Sequence, residues 1–360
     1  MNGAPRLASV ASAVPPHVVR QEDARAFAQR LFGSAFPEDS ARLMAVFDNG
    51  GIATRHTCVP LEWFGQDHSF GEKNALYIEH ALTLAAEAAE KALSQAGLEP
   101  RDVDHLVFVS STGVATPSID ARLANRLGFR GDFHRTPIWG LGCAGGAAGL
   151  ARARDFALAQ PDGRVLLIAL ELCTLTFQRN DLSKRNLVAS SLFADGAAAA
   201  VVLGSEVGTN GHRPPLELRG SSSTLWPQTL DVMGWDVDGA GLRVIFSRDI
   251  PTIVREWVRP SLDGFLAREG LRLDCVPHIV AHPGGLKVLS AYAETLGLPP
   301  EAFRHSRDVL REFGNMSSPT CLFVLERQLR AGEIGAGEPV LVSALGPGFA
   351  AEYVLARGAS

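Results

Sequence analysis

The sequence is poor in cysteine: five in 360 residues, at positions 58, 143, 173, 275 and 321. The number is odd, the spacing is wide, and no pair is spaced as zinc ligands, which excludes a disulfide framework and a structural metal site. A basic excess is also missing. Thirty-four Lys and Arg against 39 Asp and Glu leave a net charge of −5 and a pI near 6.1, which argues against a nucleic-acid partner. No apolar run approaches the roughly 18 residues of a membrane span. The first residues, Met1-Asn2-Gly3-Ala4-Pro5-Arg6, enter a short apolar strand with no signal-peptide core. These absences predict a soluble, cytoplasmic protein. What is there, 46% hydrophobic residues, 20% charged residues and 36 glycines, suits a well-buried α/β protein of one large or two fused domains.

The pattern predicts strands at 6–13, 104–110, 164–171 and 197–203. Helices are predicted at 22–32, 74–95, 118–127 and 140–158, the second with a buried stripe of Ile78, Leu82, Ala85, Ala89 and Leu93. Residues 33–73 read as irregular. The second part repeats this grammar. Helix–Gly97–Leu98–strand is answered by helix–Gly270–Leu271–strand, 173 residues on, and Val165–Ile168 by Val340–Ser343, 175 residues on. Such a period indicates one α/β unit duplicated and fused, with a boundary in 207–216. The expected halves are 1–210, carrying a nucleophile, and 211–360, carrying its partners. Strands this apolar belong in sheets covered on both faces.

The nucleophile candidate is Cys143, in Gly140-Leu141-Gly142-Cys143-Ala144-Gly145-Gly146. A glycine turn followed by a small-residue helix sets the thiol at a helix start, whose unpaired N–H groups favour thiolate. Against this stands the ordinary fate of free cysteine, which is inert burial. The 173-residue offset carries position 143 to 316, inside Gly314-Asn315-Met316-Ser317-Ser318, at the start of a second helix over 320–329. Asn315 there could serve simply as an N-cap. His282 follows strand 278–281, at a carboxyl end where α/β ligands bind. A pseudo-twofold axis would bring Cys143, His282 and Asn315 together. In a cysteine protease the asparagine would orient the histidine; in carbon–carbon bond formation both would donate to a thioester oxygen. A cysteine at the start of a buried helix in a duplicated fold fits the second better.

Gly-Leu-Gly-Cys143-Ala-Gly-Gly, Ala-His282-Pro-Gly-Gly, Gly-Asn315-Met-Ser-Ser and Leu345-Gly346-Pro347-Gly348-Phe349 resemble, in order and spacing, the signatures of type III polyketide synthases, the chalcone-synthase-like branch of the thiolase superfamily. The resemblance covers essentially the whole chain. It implies the five-layered αβαβα thiolase-like fold in two duplicated halves, a homodimer, acyl-CoA and malonyl-CoA as substrates, and no metal or organic cofactor. It also implies the roles. Cys143 carries the acyl group, while His282 and Asn315 bind the malonyl thioester as it loses CO2 and condenses.

Phe193 matches the family's gatekeeper phenylalanine, whereas the second gatekeeper position holds Val244. Cys173 and Thr116 occupy cavity positions filled by threonine and methionine in plant chalcone synthases. Thr116 is expected to face the partner subunit's cavity. Thr176, Ser317 and the Gly346-Pro347-Gly348 loop complete the implied substrate site. The loss of an aromatic ring at 244 points to a wider, aliphatic passage. Trp63, His68-Ser69-Phe70 and Tyr77-Ile78-Glu79 resemble bacterial members that make alkylpyrones from fatty acyl-CoA. A medium or long acyl starter and alkylpyrone or alkylresorcinol products are therefore expected. The alternatives are an aromatic starter, malonyl-CoA alone, a single-condensation ketoacyl-carrier-protein synthase, and a catalytically dead scaffold.

Overall fold

Nine strands of the computed structural model, which describes residues 3–33, 35–36, 40–208, 211 and 214–359, join in one large mixed sheet. They are β1 (Arg6–Ala13), β2 (His105–Val109), β3 (His134–Ile138), β4 (Arg164–Leu172), β5 (Asp195–Leu203), β6 (Leu216–Leu225), β7 (His278–Ala281), β8 (Pro339–Gly346) and β9 (Ala350–Gly358). Their order is β7-β8-β9-β6-β1-β5-β4-β2-β3. The duplication is visible in this order. β1 pairs antiparallel with β5, β5 antiparallel with β4, and β4 parallel with β2. β6, β9, β8 and β7 repeat that sequence of directions, and β3 has no counterpart. Among the described strands the two sets pair where Arg6 and Leu7 of β1 meet Glu217 and Leu216 of β6.

Five helices matter for the site: α1 (Gln21–Phe32), α2 (Phe70–Gln95), α3 (Gly145–Ala159), α4 (Lys184–Leu192) and α5 (Thr320–Ala331). α3 and α5 lie against each other and against strands of both sets. Each strand then sends alternate side chains to opposite faces. Val107, Val109 and Leu167 join α3, α5, Val340 and Val342 in a middle core. Leu106, Phe108, Leu166 and Ile168 meet α2 in an outer core. Leu341 and Tyr353 meet the helices Arg259–Arg268 and Leu286–Leu296 on the far side. The result is the five-layered helix–sheet–helix–sheet–helix arrangement that the sequence implied.

The middle layer is thin because α3 begins with almost no side chains. A Cβ on Gly146 would lie 2.2 Å from the Ser318 carbonyl oxygen and 2.5 Å from the Cys321 sulfur. One on Gly149 would lie 2.6 Å from a methyl of Leu167.

Several expectations need correction. α2 starts at Phe70 rather than Asn74, because Ser69 and Glu72 form a reciprocal capping box. Its buried face runs through Tyr77, Ala81, Leu84, Ala85 and Ala88, so Ile78 and Leu82 sit at its margin. Residues 33–73 hold a helix (Ser40–Asp48) and a strand (Thr54–Thr57) that pairs with His17–Arg20. A hairpin of Met233–Asp238 and Gly241–Phe246 was also not anticipated. The expected boundary at 210/211 falls in a loop of which residues 209, 210, 212 and 213 lie outside the described residues.

The Gly146 contact is directly testable. Gly146→Val should lower stability by about 1–3 kcal/mol or more through overpacking against backbone. Gly131→Ala, where a Cβ meets nothing within 4 Å, should leave the thermal midpoint unchanged. Equal midpoints for both variants by calorimetry would contradict the close approach of α3 and α5.

Candidate active site

Cys143 stands in a single tight turn, Gly142–Ala144, directly ahead of α3, and is buried. Gly140 and Gly142 take φ of 93° and 46°, conformations that glycine adopts at no steric cost. The Ser111 hydroxyl accepts from the backbone N–H groups of both, at 3.0 and 3.3 Å. The Gly346-Pro347-Gly348 loop, between β8 and β9, lies under this turn. A Cβ on Gly346 would come within 2.6 Å of the Ala144 nitrogen. The loop thus supports the nucleophile's backbone.

His282 follows β7, its N–H donating to Ser343 O at 2.8 Å. Both ring nitrogens are buried and have no hydrogen-bond partner among the described residues. Asn315 does not cap α5; Pro319 holds that position without a side-chain bond. The Asn315 amide Nδ2 instead donates to Gly284 O at 3.1 Å, and its Oδ1 accepts from the Ser317 N–H at 2.8 Å. Ser317 reaches that bond with φ of 59°, in the left-handed region that a residue with a Cβ seldom takes. One Asn315 N–H therefore remains to donate elsewhere, with the amide's orientation already set. Cys143, His282 and Asn315 line one pocket with Met233, Phe246 and Leu345.

Electrostatics corrects the expectation of a thiolate. Burial pushes the Cys143 thiol up to about 11; the side chains of Ser317 and Asn315 pull the other way, and a charge on Glu171 adds to the rise. Burial pushes His282 down to about 3. Losing water costs the charged form more than the helix start returns. The resting pair is neutral: a thiol beside an imidazole that has a free nitrogen to accept its proton.

Glu171 is a site residue with no sequence signal of its own. It is fully buried on β4 and accepts from the Ser111 N–H, the Thr112 hydroxyl and the Ser318 hydroxyl at 2.8, 2.8 and 2.9 Å. Burial outweighs these bonds and raises its carboxyl to about 7.

The remaining expected residues divide. Cys173, Thr176, Phe193 and Val244 line a second, mostly apolar pocket. The Thr176 hydroxyl is occupied by Cys173 O at 2.7 Å. Phe193 is tied to Asn315 through backbone: Ala194 N donates to Asn315 O, and Asn315 N donates to Leu192 O, both at 2.9 Å. Thr116 is exposed and lines neither cavity.

Trp235 and Arg55 were not anticipated. Trp235 is the cross-strand partner of Val244 and meets the Phe193 ring edge-on at 6.1 Å, so two rings stand together here although position 244 has none. Arg55, buried, donates to the carbonyls of Ser190, Phe193 and Ser191 at 2.8, 2.9 and 2.7 Å. It holds the segment that leads from α4 into Phe193.

Residues 1–207 match the N-terminal domain, and residues 217–360 the C-terminal domain, of the chalcone and stilbene synthases. A putative chalcone synthase of Bacillus subtilis is 43% identical, covering 97% of both chains. A 1,3,6,8-tetrahydroxynaphthalene synthase of Streptomyces peucetius is 42% identical, over 98% of this chain and 92% of its own. An alpha-pyrone synthesis polyketide synthase-like protein of Mycobacterium tuberculosis is 29% identical, over 97% of this chain and 90% of its own. The crystal structure of the tetrahydroxynaphthalene synthase of Streptomyces coelicolor superimposes with a TM-score of 0.92 at 31% identity, covering 99% of each chain. The similarity takes in naphthalene- and pyrone-named enzymes alike, so it does not single out alkylpyrone formation.

The two buried titrations have opposite signs. Unfolded, His282 takes up a proton as pH falls below its ordinary 6.5; folded, it stays neutral down to about 3. Its contribution to stability is therefore lost as pH falls through that window. Glu171 holds its proton up to about 7 when folded against 4.5 unfolded, so it costs stability as pH rises between those values. Glu171→Gln should remove only the second effect. The thermal midpoint of the variant minus that of the native protein should climb from pH 4.5 to 7. A flat difference by calorimetry would show that Glu171 is not buried as a proton-holding acid.

Proposed function

Because the chain belongs to the chalcone and stilbene synthase family, and is by that membership a type III polyketide synthase and an acyltransferase, we propose that it extends an aliphatic acyl-CoA starter with malonyl-CoA on Cys143. The Cys143 thiol passes its proton to His282 and its sulfur attacks the starter thioester. Coenzyme A leaves, taking the proton from the imidazolium, and the acyl group stays on sulfur. The malonyl thioester oxygen then sits against His282 and the free N–H of Asn315. Its carboxylate departs as CO2, and the electron pair left behind forms an enolate held by those two donors. The enolate carbon attacks the acyl–Cys143 carbonyl, expelling the Cys143 sulfur and leaving a chain longer by two carbons on coenzyme A. Return of that chain to Cys143 repeats the cycle until it cyclises. Decarboxylation supplies the drive, in keeping with an enzyme that needs no cofactor.

The observation that carries the aliphatic reading is the mostly apolar pocket lined by Cys173, Phe193 and Val244. A methyl-ended chain gains by leaving water there. The products this favours are alkylpyrones or alkylresorcinols. Priming by malonyl-CoA alone is the second reading, favoured by the identity to the tetrahydroxynaphthalene synthase of Streptomyces peucetius.

We also read the protein as a homodimer. Thr116 is exposed beside Val114 and Trp139, apolar residues left 46% and 51% exposed in the single chain. Trp139 also follows β3, the last strand of the sheet among the described residues. A second copy covering this face would bring Thr116 to the partner's cavity.

Labelled malonyl-CoA incubated with acetyl-, fatty and aromatic acyl-CoAs tests the starter. Long-alkyl pyrones or resorcinols should form with the native protein and not with Cys143→Ala. Preference for an aromatic starter, or product from malonyl-CoA alone, would overturn the aliphatic reading. Asn315→Ala should slow malonyl decarboxylation by about 10²–10³-fold, as loss of an oxyanion donor does, while Cys143 still takes up label from the starter. Sedimentation should give a dimer that Thr116→Arg weakens; a monomeric native protein would refute the shared site.

A further inference from the structure

The short strand Thr54–Thr57 touches both stretches of chain that hold Asn315. Alternate residues of a strand face opposite sides, and here both sides are used. On one side, the Thr54 hydroxyl donates to Glu312 O at 2.7 Å. The His56 ring stacks on that of Phe313, with centroids 6.0 Å apart. Ala53, just ahead of the strand, donates its N–H to Arg311 O at 2.8 Å. These contacts fix the end of the helix Arg304–Phe313, which leads through Gly314 into Asn315. On the other side, the terminal nitrogens of Arg55 donate to the carbonyls of Ser190, Ser191 and Phe193 and to the Gln21 side chain. That segment pairs with Asn315 in both directions, Leu192 O accepting from its N–H and Ala194 N donating to its carbonyl. Gly314 passes between the two with φ of 71°, where a Cβ would come 3.2 Å from Leu192 O and 3.5 Å from Arg55 Cβ.

Packing alone does not explain Arg55. It is 3% exposed, and a buried charge costs stability unless it is engaged. An apolar side chain would fill the space at less cost, but it could not hold three carbonyls. Asp195, also buried, favours the cation, and itself accepts from the N–H groups of Cys58 and Thr174. A guanidinium directs several donors from one planar, rigid group, and the carbonyls it holds here all lie within residues 190–193. Cys143, by contrast, takes its support from Ser111 and Gly346.

We infer that the strand Thr54–Thr57 positions the oxyanion donor: Arg55 on one side, and Thr54 with His56 on the other, fix where the Asn315 amide meets the malonyl thioester. The inference rests on the donor role of Asn315 proposed above and adds the residues that act through it. Arg55 and Thr54 are positioning residues, and the step they govern is decarboxylation rather than starter loading. A group displaced by about 1 Å can cost on the order of 10²-fold in rate, so a modest slackening of this support is enough to be measured.

The test is a double-mutant cycle read on two reactions of the whole enzyme. One is release of labelled CO2 from malonyl-CoA, with kcat and KM separated. The other is transfer of label to Cys143 from the acyl-CoA best used in the starter panel above. Arg55→Lys keeps the charge and loses the planar fork. It should cut the kcat of decarboxylation by about ten-fold, within the scale of a misplaced group, while KM for malonyl-CoA and loading of Cys143 stay within about two-fold. In an Asn315→Ala background the same change should cost less than about two-fold, because the two residues act as one unit. Thr54→Val, which loses only the bond to Glu312 O, should lower kcat by about three-fold with the same dependence on Asn315, and serves if Arg55→Lys does not fold. An equal loss in both backgrounds, a parallel loss of Cys143 loading, or an unchanged kcat in the folded variant would overturn the positioning role and leave the donor role of Asn315 intact. A native rate of decarboxylation in Asn315→Ala alone would overturn both.

Discussion

Everything at this site depends on how closely two helix starts approach between the two half-sheets. α3 can meet the segment ahead of α5 only because Gly146 has no side chain where the Ser318 carbonyl and Cys321 sulfur lie. That contact fixes the distance between the half of the chain that holds Cys143 and the half that holds Asn315. A second close contact works from below, where Gly346 and Pro347 lie under the nucleophile turn. Both contacts are of backbone against backbone or ring. Such contacts are stiff, and they hold the groups around Cys143 in fixed positions.

The same burial sets the chemistry. A thiol pushed up to about 11 and an imidazole pushed down to about 3 make a neutral pair, poised for proton transfer when substrate arrives rather than charged in advance. A neutral imidazole with unpartnered nitrogens and an asparagine with one spare N–H give two groups that can face a thioester oxygen. Asn315 is held from three sides: by Gly284, by Ser317, and by the backbone bridge to the Phe193 segment that Arg55 secures. Asn315 and the Phe193 segment thus share one support.

The second pocket is built by parts of the chain without glycine signatures. Trp235, across from Val244, meets the Phe193 ring edge-on. Ala24 and Ala28 of α1 and Ala189 of α4 line the same pocket as Phe193 and Val244.

Sequence alone determined the layered α/β fold, the duplication, and the meeting of Cys143, His282 and Asn315. These follow from local rules, since glycine turns, apolar runs and a repeat of fixed offset each bear on the backbone directly. The order of the strands and the alternation of Val107 and Val109 with Leu106 and Phe108 between two cores agree with that reading. Tertiary structure alone decided the rest. The thiol's charge state went against the helix-start argument because burial is a property of everything packed around it. Asn315 turned out to be held by Gly284 and Ser317 rather than capping α5. Glu171 and Arg55 became site residues through burial and partners more than a hundred positions away. Trp235 reached Phe193 through a hairpin register that no local pattern announced.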